Sequence, residues 1–294
     1  MIFKEQTKSV PITKEMVWES YKKVKSNGGS AGIDQQSLSE FDRVRSKELY
    51  KLWNRLASGS YFAPAIKRVT IPKAEGKTRP LGIPTVSDRI AQQVVKTYLE
   101  PRLESIFVDN SYGYRPNKSA HAAIHEVQQN VRKYSWVIDL DIQEFFENVS
   151  HELLMKALEK HVSEKWVLLY IKRWLEAPVI LEDGTVKLST GKGTPQGGVI
   201  SPLLANLYMH YCVDKWLEKF RPSVIMIRYA DDIIILSKSK SHLHEVRALI
   251  KKYLNDNLKL QIKDNYQVFP VQARGIDFVG YVFYHTHVLL RKSI

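Results

Sequence analysis

Cysteine is nearly missing from this chain: Cys212 stands alone among 294 residues. No intrachain disulfide and no cysteine-based zinc site can therefore form, and the expected setting is reducing and intracellular. Long apolar runs are missing too. Nothing approaches the roughly 18 consecutive apolar residues of a membrane span, and Met1 to Lys8 lacks the apolar stretch of a secretory signal. Low-complexity tracts and fixed-period repeats are absent, which removes solenoid architectures. Acid is scarce relative to base, with Lys+Arg 44 against Asp+Glu 31 and a net charge of +13. Such an excess favours a polyanionic partner, nucleic acid first, although a basic solubility face would look the same.

What is present centres on Arg228-Tyr229-Ala230-Asp231-Asp232, set between the apolar runs Val224 to Ile227 and Ile233 to Leu236. Short β-branched runs around a polar break predict two buried strands joined by a tight turn. Adjacent carboxylates at the tip of such a hairpin repel each other unless a cation is near, and magnesium suits all-oxygen ligands that leave room for substrate phosphates. A solvated Asp-Asp turn is the plain alternative. Trp136 to Ile142 alternates strictly, with Val137, Asp139 and Asp141 on one face. A carboxylate ending an apolar strand is costly unless paired or metal-bound, so Asp141 is a candidate companion for Asp231 and Asp232.

In chain order, helical spacing from Thr13 to about Ser26 is broken by Gly28 to Gly32. The helix carries Lys22, Lys23 and Lys25, candidates for nucleic-acid contact. A second helix is predicted over Leu38 to Leu56. Ile66 to Lys73 and Arg79 to Pro84 then predict a basic hairpin that its prolines confine to a sheet edge. Cationic and exposed, it suits a triphosphate clamp, with lysine as a point charge and arginine as a bidentate fork; an edge strand guarded by lysines is the alternative. Helices follow over about Ser87 to Leu103 and, capped by Ser119, to about Lys133. Arg115 and Lys118, beside Tyr112 and Tyr114, mix cation with aromatic as single-stranded nucleic-acid sites do. Glu182-Asp183-Gly184 marks another hairpin. Gly191 to Ser201 lets backbone pass close to a ligand, with Gln196 able to bond a base or sugar edge, and a helix runs on from about Pro202 to Lys219. No Gly-Lys-Ser/Thr closes this loop, which excludes a Walker phosphate site. Leu243 to Leu254 predicts a further helix, and Gly275 to Leu290 a final hairpin.

Taken together, these motifs resemble the reverse transcriptase domain of group II intron-encoded maturases. The resemblance spans Gly28 to Asp34, Ile71 to Arg89, Tyr112 to Ala120, Asp141 to Asn148, Gly193 to Asn206, Tyr229 to Asp232 and Phe278 to Phe283, in the family's order. It implies an α+β right-hand polymerase fold of fingers and palm, with an antiparallel palm sheet backed by helices. The expected organisation is fingers with an N-terminal RNA-binding extension over 1–134 and palm over 135–294, interleaved, with the thumb absent. By the same resemblance Asp141, Asp231 and Asp232 are catalytic and, with the backbone carbonyl of Ile142, would bind two Mg2+ ions. Lys73 and Arg79 match triphosphate contacts, Gln196 lies beside the incoming nucleotide, and Phe146 falls where a bulky ring would exclude a ribose 2′-hydroxyl. The implied partners are an RNA template, intron RNA, a DNA primer and deoxynucleotides, with no membrane and with a homodimer left open.

RNA-directed DNA polymerase is therefore the expected activity, an RNA-binding splicing cofactor the alternative from another class. A pure binding module would have no use for the carboxylates. An RNA-dependent RNA polymerase shares the same chemistry but is disfavoured by Phe146.

Overall fold

Local signals set where many elements begin and end. Helix Lys14–Asn27 starts where the Thr13 hydroxyl accepts the Met16 amide, and it stops at Gly28, whose φ of 68° suits glycine. Ser119 and Ser239 cap helices Ala120–Asn130 and Lys240–Leu258 in the same way. The computed structural model describes residues 10–72, 78–220, 223–263 and 267–291. Among them no helix is long and apolar enough to cross a membrane. The strands, in chain order, are β1 Ile66–Pro72, β2 Thr78–Ile83, β3 Trp136–Asp141, β4 Val179–Ile180, β5 Val186–Lys187, β6 Val224–Tyr229, β7 Asp232–Ser237, β8 Val268–Pro270, β9 Ile276–Phe278, β10 Tyr281–Phe283 and β11 Val288–Leu290.

The chain divides into two compact units, each built from two stretches. The first takes residues up to Leu103 together with His151–Ser201. Its sheet has the order β2-β1-β4-β5. The basic hairpin pairs antiparallel from Lys67↔Ile83 to Pro72↔Thr78 as expected, but only β2 is an edge. Its partner β1 is interior, because Ile66 and Lys67 pair in parallel with Val179 and Ile180, far away in sequence. Helix Val86–Glu104 supplies much of the buried wall of this unit. Asp88 on it is buried among three neutral donors, the Tyr61 hydroxyl (2.7 Å), the Trp174 indole (2.8 Å) and the Gln92 amide (3.0 Å). Burial pushes its carboxyl above the ordinary value despite those bonds. The predicted helix over Leu38 to Leu56 is two helices, Leu38–Arg43 and Arg45–Ala57. At the junction Val44 leaves the helical region (φ −117°, ψ 16°), and an exposed β-branched residue gives the helix little reason to run through.

The second unit takes Glu104–Ser150 together with the residues from Pro202 onward. Its larger sheet is antiparallel, ordered β6-β7-β3-β8, and β9, β10 and β11 form a separate three-stranded sheet. Val137, Ile227, Ile234, Leu236 and Phe278 join in one core cluster of this unit. Because both faces are covered, β7 is buried from Ile233 through Ser237, the continuous apolar run that a doubly covered strand requires. The helix predicted over Pro202 to Lys219 is not continuous: Ser201–Met209 is α-helical, His210–Asp214 is a π turn, and a short α turn Lys215–Leu217 follows. One extra residue per turn rotates Asp214 inward, a displacement that no sequence periodicity announces.

Candidate active site

The acidic hairpin forms as its pattern predicts. Tyr229 pairs with Asp232, so Ala230 and Asp231 make a two-residue turn, and Ala230 takes the left-handed conformation at φ 57°. On the other side of β7, Asp232 pairs directly with Asp141 of β3. Directly opposed residues of an antiparallel pair share a face, so Asp139, two residues before Asp141, looks the same way. The structure thus brings Asp141, Asp231 and Asp232 to one end of one sheet within a single unit.

Charge accumulates there. Burial, reinforced by Asp139, Asp231 and Asp141, pushes the Asp232 carboxyl up to about 7, against the pull of a 3.1 Å hydrogen bond from the Val279 amide. Burial, with Asp141 and Asp277 beside it, raises Asp139 to about 6, while Arg274 and Arg291 pull the other way. The Lys263 ammonium bonds the Asp141 carboxylate, and the Lys263 amide donates to the Asp141 carbonyl at 3.1 Å. An isolated bridge between Ile142 and Ile262 holds these two segments together. The family resemblance points to a lysine facing the active site near Lys263, but the local sequence leaves its register loose; the bridge that delivers it is a tertiary pairing.

Among the described residues no three His, Cys, Asp or Glu side chains converge on a single point as a ready-made ion cage. The donor set nevertheless fits a hard divalent cation. Every donor is an oxygen, the cluster carries more negative charge than its surroundings stabilise, and a lysine ammonium already sits where positive charge is wanted.

The turn carrying Asp231 is braced from behind. Arg228, on the strand leading into it, is 0 % exposed, as is the Asp214 side chain to which it is bonded in bidentate fashion at 2.8 and 2.7 Å. The guanidinium also donates to Asn206 Oδ1 at 2.9 Å and to the Ala230 carbonyl at 2.8 Å. Asn206 in turn donates to the Gly113 carbonyl at 2.7 Å. Gly113 lies so close to the turn that a Cβ built on it would be 2.4 Å from the Ala230 nitrogen.

The remaining candidates lie on other elements. Phe146 is half-buried on the helical turn Phe145–Asn148 that follows β3, its ring 5.4 Å from that of Phe145. Arg79 is exposed on β2 of the first unit, while Lys73 lies outside the described residues. Gln196 is in that same unit, where its carbonyl accepts the Gly82 amide at 2.6 Å and ties the glycine-rich loop to the basic hairpin. A Cβ on Gly197 would come within 2.3 Å of the Gly82 carbonyl, which is why this approach needs glycine. Lys22, Lys23 and Lys25 lie exposed on the first helix, with Lys22 paired to Glu19 and Lys25 to Asp42. Arg115 is buried, its guanidinium spent on Glu104 and on the carbonyls of Val108 and Ser111. Lys118 bonds the Asp109 carbonyl and lies over the Tyr112 ring.

Residues 71–283 match the family model described as reverse transcriptase (RNA-dependent DNA polymerase). Protein YkfC of Escherichia coli K12 is 32% identical in an alignment covering 89% of this chain and 76% of that protein. The group II intron-encoded protein LtrA of Lactococcus lactis is 25% identical over 91% of this chain, which spans only 54% of LtrA. Among solved structures, telomerase from Candida albicans, determined with a fragment of telomeric RNA, superposes with a TM-score of 0.59 at 14% identity, covering 84% of this chain and 51% of that one. That likeness is one of fold, and it agrees with a right-hand polymerase.

Proposed function

The chain belongs to the reverse transcriptase family, and from that premise we propose that it extends a DNA primer on an RNA template using deoxynucleoside triphosphates. The observation that carries this reading is the cross-strand pairing of Asp141 with Asp232 beside Asp231 at the hairpin turn. The unit holding this hairpin is assigned as palm and the unit holding the basic hairpin as fingers.

The reaction is an in-line phosphoryl transfer. The primer 3′-oxygen attacks the α-phosphorus, pyrophosphate leaves, and the hydroxyl proton passes to solvent. Such chemistry needs positioning and charge compensation more than a covalent nucleophile. Asp141, Asp231, Asp232 and the Ile142 carbonyl would hold two Mg2+ ions, which when bound lower the pKa of the primer hydroxyl and offset charge on the leaving group. Arg79 and Lys73 are assigned to the triphosphate and Gln196 to the nucleotide's edge. Phe146 is assigned to the sugar, where an aromatic ring excludes a 2′-hydroxyl by contact.

A second reading, an RNA-binding splicing cofactor, is favoured by the +13 charge and by the intron-encoded relative. One experiment separates the two. A DNA primer on an RNA template is offered magnesium with deoxy- or ribonucleotides, wild type beside Asp231→Ala. Extension with deoxynucleotides by wild type alone supports the polymerase. Tight RNA binding by both proteins with extension by neither leaves the cofactor reading.

A further inference from the structure

We propose that Arg228, clamped by Asp214 and Asn206, is a positioning residue that sets the direction of the Asp231 carboxylate by holding the Ala230 carbonyl. The inference rests on the polymerase reading for its kinetic consequences, though its geometry stands independently. Arg228 is among the largest fully buried side chains. Four of the donor contacts its guanidinium can make are filled, two by Asp214, one by Asn206 and one by the Ala230 carbonyl, at 2.7 to 2.9 Å.

Stability alone does not explain such an arrangement. A buried ion pair costs about as much in desolvation as its attraction returns, and apolar residues of similar volume commonly serve a core as well or better. An apolar pair, however, cannot hold a carbonyl. Ala230 sits at φ 57°, a conformation that an L-residue with a Cβ adopts at a cost. Its peptide plane would relax if nothing gripped it, and that plane leads directly into Asp231. Arg228 grips it at 2.8 Å, while the Gly113 backbone, itself held by Asn206, abuts the preceding Tyr229–Ala230 peptide, so both planes flanking Ala230 are fixed.

The charge bookkeeping agrees. A lone arginine behind this cluster would act as a counter-ion to the aspartates and compete with a metal. Paired with Asp214 in bidentate geometry it contributes no net charge, so direction is what remains. The π turn His210–Asp214 is the device that brings Asp214 to it, and π turns recur where function needs a side chain re-aimed.

The test uses the full chain and two variants. Arg228→Met/Asp214→Leu replaces the ion pair with apolar groups and removes the grip on Ala230; Asn206→Ala leaves the pair and removes the brace. Each is measured for thermal melting, for Mn2+ affinity by electron paramagnetic resonance, and for single-nucleotide extension with kcat and KM separated. The expected result is an intact melting transition, Mn2+ affinity about 10-fold or more weaker, and kcat about 100-fold lower with KM little changed. A folded variant of either kind that keeps wild-type Mn2+ affinity and kcat overturns the proposal. If the double variant does not fold, Asn206→Ala decides alone. If wild type itself never extends a primer, the polymerase reading fails, while the Mn2+ comparison still decides whether Arg228 and its partners orient the carboxylates.

Discussion

Replacing Gly113 by alanine isolates one steric contact behind the acidic turn. Gly113 does not occupy the positive-φ region, so alanine adds no backbone penalty of its own. What it adds is a Cβ 2.4 Å from the Ala230 nitrogen and 3.0 Å from the Tyr229 carbonyl carbon, where ordinary contact begins at 3.4 Å. The gap must open by the difference, 1.0 Å, and both sides of it are backbone. The Gly113 side is tethered, through its carbonyl to Asn206 at 2.7 Å and through the neighbouring Tyr112 amide to the Arg228 carbonyl at 2.8 Å. The turn must therefore yield. Overpacking of this kind costs about 1–3 kcal/mol, and a displacement near 1 Å at a reacting centre lowers rate by about 100-fold. Melting and primer extension are to be measured together, with Gly184→Ala as control. Gly184 has φ 84° and nothing within 4 Å, so alanine there destabilises by roughly 1 kcal/mol through backbone strain, without touching the acidic turn. If Gly113→Ala extends primers at the wild-type rate, or Gly184→Ala loses as much, the contact does not position the turn.

Three further outcomes follow from the same site. Asp232, held at about 7 in the fold against an ordinary 3.8, retains its proton longer when folded, so its contribution is complete below about pH 4 and is lost as pH rises through 7. Melting in a chelator should fall from pH 5 to pH 8, by at most about 3 kcal/mol of stability, magnesium should restore more at pH 8 than at pH 5, and Asp232→Asn should flatten the fall; a chelated protein equally stable at both pH values would refute this. Lys263→Met removes the ammonium from Asp141. Because both side chains are about half exposed, stability should change by less than about 1 kcal/mol, while Mn2+ binding tightens several-fold; weaker binding would mean the lysine assists rather than competes. Phe146→Val should admit ribonucleotides about 10-fold better or more, and unchanged selectivity in a competition assay would remove the ring from the sugar site.

Much of this protein was written in local pattern. The acidic hairpin, the strand ending in Asp141, the caps at Thr13 and Ser119 and the antiparallel pairing of the basic hairpin all follow from signals within a few residues, because turn chemistry, side-chain alternation and capping are short-range. The ordered motifs were likewise enough to name the family.

What the sequence could not announce depends on partners distant in the chain. It did not show that β1 is interior, since two residues of β4 more than a hundred positions on decide that. Nor did it show that Arg115 is consumed by Glu104 rather than offered at the surface, because burial is a property of the packed unit. The largest gap was Arg228. By composition it is one more base in a basic chain, and its alternation on β6 says nothing of Asp214. A one-residue π insertion and the close backbone of Gly113 place four segments around it, and only that packing turns a surplus cation into the brace of an acidic turn. The sequence by itself determined which groups are the candidates for the chemistry. The tertiary structure decided how they are aimed, because direction depends on contacts that no short stretch of chain contains.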